Sequence, residues 1–406
     1  MRKLPLENIR VLDFTLALAG PLVTLWLASL GAEVYKVESR TRLDISRRMR
    51  VDETGNMLLT GDPRTGFYEQ PNHSKKSITV DLSKPGGVAA VRELAKVCDV
   101  VVESFAPGVM DRLGVGYKDI RGVRPDVVYF SLSGFGQTGP YSRYRAFGHI
   151  ASSFGGVDNL TGRASGRPAS VGSTLDGVCS ISGVLSTMMA LWHRFETGQG
   201  QHVDLAMSEV QMCMIPEAMM DYVMNGRVRH RDGNHDDVFA PYGTFRCEGE
   251  DAWIAIGITN DGEWRGLCQA MGRGDLADDP RYADGMGRWK HRDELEHLIE
   301  GWTRTRKPWD LFHALQRAGV PAGPAATTVD ILNDPQVKAR GMLTTVRTRQ
   351  GVPVVLQHLP ARFDGEYKDV PEPAPTFGEH NQYAFREVLG LSPAHVRAMV
   401  DKRILW

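Results

Sequence analysis

Short apolar runs and longer amphipathic stretches alternate through the first third of the chain. IRVLDF (9–14), AEVYKVE (32–38), SITVDL (77–82), DVVVESF (99–105) and DVVYFSLSG (126–134) have the length and β-branched content of buried strands. Between them, PLVTLWLASLG (21–31) reads as a helix stopped by Gly31, and PGGVAAVRELAKVC (85–98) as one opened by Pro85. Strands separated by helical crossovers predict an α/β fold with a doubly wound parallel sheet, Rossmann-like in layout. From 178 to about 225 the pattern is long and helical. A charged link, NGRVRHRDGNHDD (225–237), precedes GTFRCEGEDAWIAIGI (243–258), which predicts an antiparallel hairpin. Helical patterns run on to about 318, so this part reads as a smaller α+β domain. VPVVLQHLPARF (352–363) and a last helix near 380–401 complete the tail. The boundaries expected are 1–225 for the large domain, 226–328 for the small one with its linkers, and 329–406 for a return to the large one.

Composition narrows the function classes. The 406 residues are 42% hydrophobic and 24% charged, the make-up of an ordinary globular protein with a large core. Lys and Arg number 48 against 49 Asp and Glu, for a net charge of −1, so neither nucleic acid nor an anionic membrane is expected as partner. Cys98, Cys179, Cys213, Cys247 and Cys268 form no C-x-x-C pair and read as reduced thiols. MRKLPLENIRVLDF lacks a long apolar core, and no uninterrupted apolar run reaches ~18 residues. The expected location is cytoplasmic.

Candidate chemistry is sparse. GFGQTG (134–139) fits G-x-G-x-x-G after a strand, and Asp158 stands near the distance of a ribose-binding acid. Pro140 follows at once, however, and no helix opens on these glycines. A turn supporting a pocket is expected instead of a nicotinamide site. His193, His202 and His235 are too dispersed for a metal site. Asp236 and Asp237 read as part of a solvated linker. Asp176, in TLDGVCSISG (174–183), opens an apolar helical run of Val178, Ile181, Val184, Leu185, Met188 and Leu191. Such an acid can be a helix cap. It can equally be a nucleophile, with Gly177 beside it leaving room for a substrate.

ENIRVLDFTLALAGPLVTLWLASLGAEVYKVE (7–38), KKSITVDLSKPGG (75–87), VVESFAPGVMDRLGVGY (101–117), YFSLSGFGQTGPY (129–141), ALWHRFETGQGQHVDLAMSE (190–209), LNDPQVKARGM (332–342) and FGEHN (377–381) occur in that order. Together they resemble the family III CoA-transferases, a group that includes formyl-CoA and carnitine CoA-transferases and the α-methylacyl-CoA racemases. The resemblance implies a large domain built from both chain ends, a smaller inserted domain and two protomers interlocked as rings. It implies coenzyme A thioesters as substrates, with no tightly bound cofactor and no metal, and Asp176 as a nucleophile forming a covalent aspartyl intermediate. CoA contacts carry over to Val80, Asp81, Leu82 and Ser83, to Ser104, Phe105, Ala106 and Arg112, and to Arg145, Phe147 and Gly148. Phe105 can flank adenine, and Arg112 and Arg145 can meet phosphates.

Departures bear on the substrate. Formyl-CoA transferases carry glutamine where this chain has Leu18 and asparagine where it has Ser104, and their glycine-rich loop in the small domain is absent. Apolar Leu18, with Trp26 nearby, suits a bulkier acid than oxalate or formate. The branch resembled includes succinyl-CoA:benzylsuccinate transferases, so the acceptor expected is an aromatic or substituted dicarboxylate. The assembly expected is a homodimer or a heteromer with a related subunit. His149 falls where the racemases carry the histidine of a His/Asp acid–base pair. Their E-P-Q-F motif, however, reads TNDGEW (259–264) here, as in transferases. Transfer, with His149 lining the pocket, is the expectation. Racemisation and a non-catalytic CoA-binding sister subunit are the alternatives.

Overall fold

In the computed structural model, residues 4–51, 57–59 and 66–406 are described. Six parallel strands form the main sheet: β1 (Arg10–Phe14), β2 (Glu33–Glu38), β3 (Lys76–Thr79), β4 (Val100–Glu103), β5 (Val128–Ser133) and β6 (His202–Ala206). Their order is β3-β2-β1-β4-β5-β6. The chain therefore winds outward from β1 in one direction and then from β4 in the other, and the reversal falls between these two central strands. In open α/β sheets, ligands bind beyond the carboxyl ends of the strands at such a reversal.

Alternation along each strand splits the apolar residues between two cores. Leu12, Phe14, Tyr35, Val37, Val101 and Tyr129 face one layer. Val11, Val34, Val100, Val102, Val128 and Phe130 face the other. Both faces of the sheet are thus covered, which is why these strands read as continuous apolar runs. Helix α1 (Ala19–Ser29) packs into the second layer through Val23 and Leu27, and α2 (Pro85–Ala95) into the first through Val91 and Leu94.

Beneath the carboxyl ends of β1 and β2 lies a buried ionic network. Asp13 accepts from Thr15, from Thr24 (2.6 Å) and from Lys75 Nζ (3.1 Å). Lys36 donates to the Thr15 carbonyl (2.8 Å) and pairs with Asp44 (3.2 Å). Arg47 clasps Glu38 through two bonds of 2.6 and 2.7 Å. Burial works against the Asp13 carboxylate, yet Lys75 and Lys36 hold it below its ordinary range. Burial also pulls Lys75 down to about 8. Charges this deep persist because each has a partner of opposite sign.

Three elements differ from the sequence pattern. The stretch after 178 is not helical throughout: α4 (Thr174–Thr197) ends at Gly198, and β6 follows as the sheet's sixth strand. HVDLA is short and half exposed at the edge of the sheet, so it lacks the apolar run that marks a central strand. The strand expected over 77–82 stops at Thr79, because Asp81 turns the chain: its Oδ1 accepts from the Ser83 amide (3.0 Å) and hydroxyl (2.6 Å). The last helix is two, a π-helical segment Tyr383–Val388 and an α-helix Pro393–Asp401, separated around Gly390. The C-terminus then returns to β3, where Asp81 N–H donates to Ile404 O and Thr79 hydroxyl to Trp406 O.

By contacts the chain divides into two compact units. The larger comprises Met1–Asp158, Ser170–Val228 and Ala339–Trp406, and the smaller Asn159–Ala169 and Arg229–Lys338. The smaller holds an antiparallel sheet of β7 (Tyr242–Arg246), β8 (Trp253–Gly257) and β9 (Ala322–Pro324), ordered β9-β8-β7. Ile254, Ile256, Trp264, Leu267, Leu295 and Leu315 make its core. Among the described residues one helix, α4, is long and apolar enough to cross a membrane. One side of it, including Cys179, Gly183 and Ala190, is packed inside the larger unit.

Candidate active site

A cavity of about 370 Å³ opens at the reversal of strand order. Phe14 and Leu16 from the end of β1, Val37 and Glu38 from β2, Val80 to Ser83 after β3, and Phe105 and Arg112 after β4 line it. Six of the expected CoA residues therefore converge there: Val80, Asp81, Leu82, Ser83, Phe105 and Arg112. Ser104 borders it, its hydroxyl accepting from the Leu16 amide (3.1 Å), and Ala106 is exposed next to Phe105. Asp81 and Ser83 are engaged with each other in the turn that ends β3, so they shape the wall more than they offer polar groups to a ligand.

Ser39, Thr41 and Arg42 also line the cavity, and the sequence reading did not single them out. The Arg42 guanidinium stands 5.6 Å from the centroid of the Phe105 ring. Arg42 sits just beyond the carboxyl end of β2, and that position was the available signal. An aromatic ring facing a guanidinium suits a purine, with Arg112 as a further cation for phosphate.

Between cavity and α1 the chain is strained. Ala17 has φ +68°, a left-handed conformation that side chains disfavour, and its amide donates to Asp44 Oδ1 (3.2 Å). The ionic network thereby holds the Leu16–Leu18 segment in place. Leu18 follows as the residue preceding α1 and is half-buried.

Asp176 lies in the first turn of α4, three residues after the N-cap position, which Ser173 occupies; Asp176 is not the helix cap. Its carboxylate rests over Gly148 at the start of α3 (Gly148–Phe154): a Cβ there would stand 2.9 Å from both Asp176 oxygens. Any larger residue would have to push the Asp176 carboxylate aside. A Cβ on the adjacent Gly177 would meet nothing within 4 Å, so the helix surface next to Asp176 is open at that residue. Burial raises the Asp176 pKa above its ordinary value, while the nearby His149 acts to lower it. A partly desolvated carboxylate is a better nucleophile than a hydrated one. Arg145 and Phe147, on the segment that leads into α3, and His149, in its first turn, are exposed and do not line the cavity.

The GFGQTG segment forms a turn. Gly136 and Gly139 have φ of +84° and +88°, and the Gln137 amide donates to Asp204 in the middle of β6. The next α-helix begins only at Gly148, so these glycines do not place a helix N-terminus under a pyrophosphate.

The profile of CoA-transferase family III matches residues 6–381. A succinate–glutarate CoA-transferase of Agrobacterium fabrum is 33% identical over 398 residues, covering 95% of this chain and 96% of its own. The beta subunit of a succinyl-CoA–L-malate CoA-transferase of Chloroflexus aurantiacus is 30% identical over 406 residues, covering 99% and 98%. The crystal structure of a CAIB/BAIF family protein from Brucella suis superposes with a TM-score of 0.83 at 33% identity, over 96% of this chain and 100% of that one. Strand order, cavity and match across nearly the whole length agree. The chain belongs to CoA-transferase family III, enzymes that exchange coenzyme A between acids through CoA thioesters.

Proposed function

We propose that this enzyme moves CoA from succinyl-CoA to a second dicarboxylic acid, with Asp176 as the covalent nucleophile. The observation that carries this reading is the half-buried Asp176 carboxylate, seated over bare Gly148 in the first turn of α4. An Asp176 oxygen attacks the thioester carbonyl, the C–S bond breaks, and CoA leaves as thiolate from a mixed anhydride. The thiolate attacks the aspartyl carbonyl, releasing succinate and leaving an aspartyl–CoA thioester. The acceptor carboxylate attacks that thioester, expelling the thiolate again. The thiolate then takes the acceptor's acyl group from the second anhydride and restores Asp176. Every attacking group is already an anion, so the cycle needs no general base. The nucleotide end of CoA lies between Arg42 and Phe105 with Arg112 on its phosphates, and Arg145, Phe147 and His149 flank the thioester.

The named relatives act on glutarate and L-malate, which favours a short aliphatic dicarboxylate as acceptor. A substituted acid such as benzylsuccinate is the second reading, favoured by apolar Leu18 and by exposed Phe147. Two protomers interlock in the working enzyme, either identical or paired with a related chain. In support, α4 leaves Ile181, Leu185, Met189, Trp192 and Phe195 exposed along one face, and one relative is itself a subunit of a paired enzyme. The racemase and sister-subunit alternatives are tested together. The enzyme, incubated with a 2-substituted acyl-CoA in D₂O, is expected to leave the α-proton in place and to exchange CoA once succinate is added. Hydroxylamine or borohydride added during turnover should modify Asp176, detected by peptide mass. Deuterium at the α-carbon, lost in His149→Ala, would overturn transfer in favour of racemisation. No exchange with any of glutarate, malate, mesaconate or benzylsuccinate would overturn the acceptor class.

A further inference from the structure

Glu103 is the last residue of β4 and only 3% exposed. The sheet places it beside Phe14 of β1 on one side and Ser131 of β5 on the other. Its Oε2 accepts from the Phe105 amide at 2.7 Å, and the Ser131 hydroxyl bonds to the same carboxyl group. Ser131 Oγ in turn meets His202 Nε2 of β6 at 3.0 Å. The His202 ring is fixed by stacking on Tyr117 at 4.7 Å and by an edge contact with Tyr129.

We propose that Glu103 is a positioning residue for the nucleotide end of CoA: through the Phe105 amide it sets the pitch of the ring that flanks adenine, and Ser131 and His202 brace it across the sheet. This rests on the cavity being the CoA site. Phe105 leaves the sheet immediately after Glu103, and this amide bond fixes how the chain turns there. Arg42, on the opposite wall, is carried by a loop pinned at both ends by Glu38–Arg47 and Lys36–Asp44. Glu103 supplies the corresponding anchor for the aromatic wall.

The charges facing Glu103 are Asp111, from the helical turn after Phe105, and Asp204, from β6. Both are negative. Burial and this repulsion push its carboxyl up to about 7, although Ser131 and the Phe105 amide favour the anion. His202 is itself held below its ordinary pKa, chiefly by burial, and is neutral where Glu103 titrates. Above neutrality the relay runs His202 N–H to Ser131, Ser131 O–H to Glu103, and Phe105 N–H to Glu103. When Glu103 takes up a proton, its O–H donates to Ser131 Oγ in place of the bond it accepted. The acceptor of the Phe105 amide then loses its charge and the bond weakens.

Steady-state kinetics across the neutral range test the proposal, with thermal unfolding as a check on folding. Glu103→Ala should raise the CoA-ester KM about tenfold and change kcat by less than about twofold. Glu103→Gln keeps an amide oxygen for Phe105. It should give a pH-independent KM close to the raised value that the native enzyme reaches below about pH 7. If Glu103→Ala does not fold, Glu103→Gln and Ser131→Ala carry the test, the latter moving the pH at which KM rises. Phe105→Ala separates the two layers of inference. A raised KM there with an unchanged KM in Glu103→Ala overturns the positioning role alone. An unchanged KM in Phe105→Ala overturns the CoA cavity and the positioning role with it. The same pH profile in native enzyme and Glu103→Gln also overturns the role.

Discussion

The two ends of the proposed CoA path are built differently. The cavity at the strand-order reversal is walled by strand ends and by turns tied to one another through buried ion pairs. The surroundings of Asp176 are open: Phe147 is 68% exposed, His149 and Arg145 are exposed, and the apolar face of α4 is uncovered. Recognition of a large invariant group benefits from rigidity, because preformed contacts lose little entropy on binding. Transfer between different acids benefits from an adaptable acyl end. On this proposal the CoA end carries affinity, and the Asp176 end carries chemistry and choice of acid.

The largest blow to that division comes from Asp176→Ala. Exchange should fall on the order of a thousandfold or more, with CoA-ester binding retained in calorimetry; loss of binding as well would show that the two ends are not separable. Next, Lys75→Met leaves Asp13 without its directly bonded cation, and urea unfolding should show a loss of about 3–5 kcal/mol. A loss near zero would mean that the cavity floor does not depend on the ionic network. Arg42→Ala and Arg112→Ala sharpen the contrast in the opposite sense to Asp176→Ala. Each should raise the CoA-ester KM roughly ten- to a hundredfold, with little effect on kcat, if a charge-assisted bond of about 1.5–3 kcal/mol is lost. An equal fall in kcat would place them at the reacting centre.

The smallest effects concern pH. The raised Asp176 pKa predicts that kcat falls on the acid side at a pH above the ordinary aspartate value, as the nucleophile is protonated. His149→Ala removes the group that lowers this pKa and should move the acid limb upward. The folded state also holds the Asp176 proton more tightly than the unfolded chain. Its contribution therefore favours folding at low pH and is lost as pH rises through that raised value. Asp176→Asn should consequently melt slightly higher than the native enzyme at neutral pH while failing to turn over. A lower melting temperature would show that the carboxylate is not under desolvation strain.

Much of the sheet was legible because its strands are apolar on both faces and its helices begin and end on Pro85 and Gly31. The edge strand His202–Ala206 was not legible, since exposure at the edge removes the pattern that burial writes into a sequence. Asp176 stood out as an acid opening an apolar helix, but its spacing could not separate a cap from a nucleophile; Ser173 at the cap position and Gly148 beneath the carboxylate belong to three dimensions. Arg42 and Glu103 were passed over. One is a lone cation in a polar loop and the other an acid inside an apolar run, and neither has a local signature.

What the sequence determined by itself is the alternation of strands and helices, the family to which its ordered motifs point, and the kinds of side chain available for CoA chemistry. Tertiary structure alone decided which of them meet. The order of strands brings Phe14, Glu38, Val80 and Phe105 to one rim although they are far apart along the chain. Three partners folded around the buried Lys75 ammonium, and a glycine under Asp176, then set which groups are rigid and which are reactive. The physical reason is that periodicity encodes burial one element at a time. Electrostatic pairing and close approach depend on neighbours that only the packed sheet supplies.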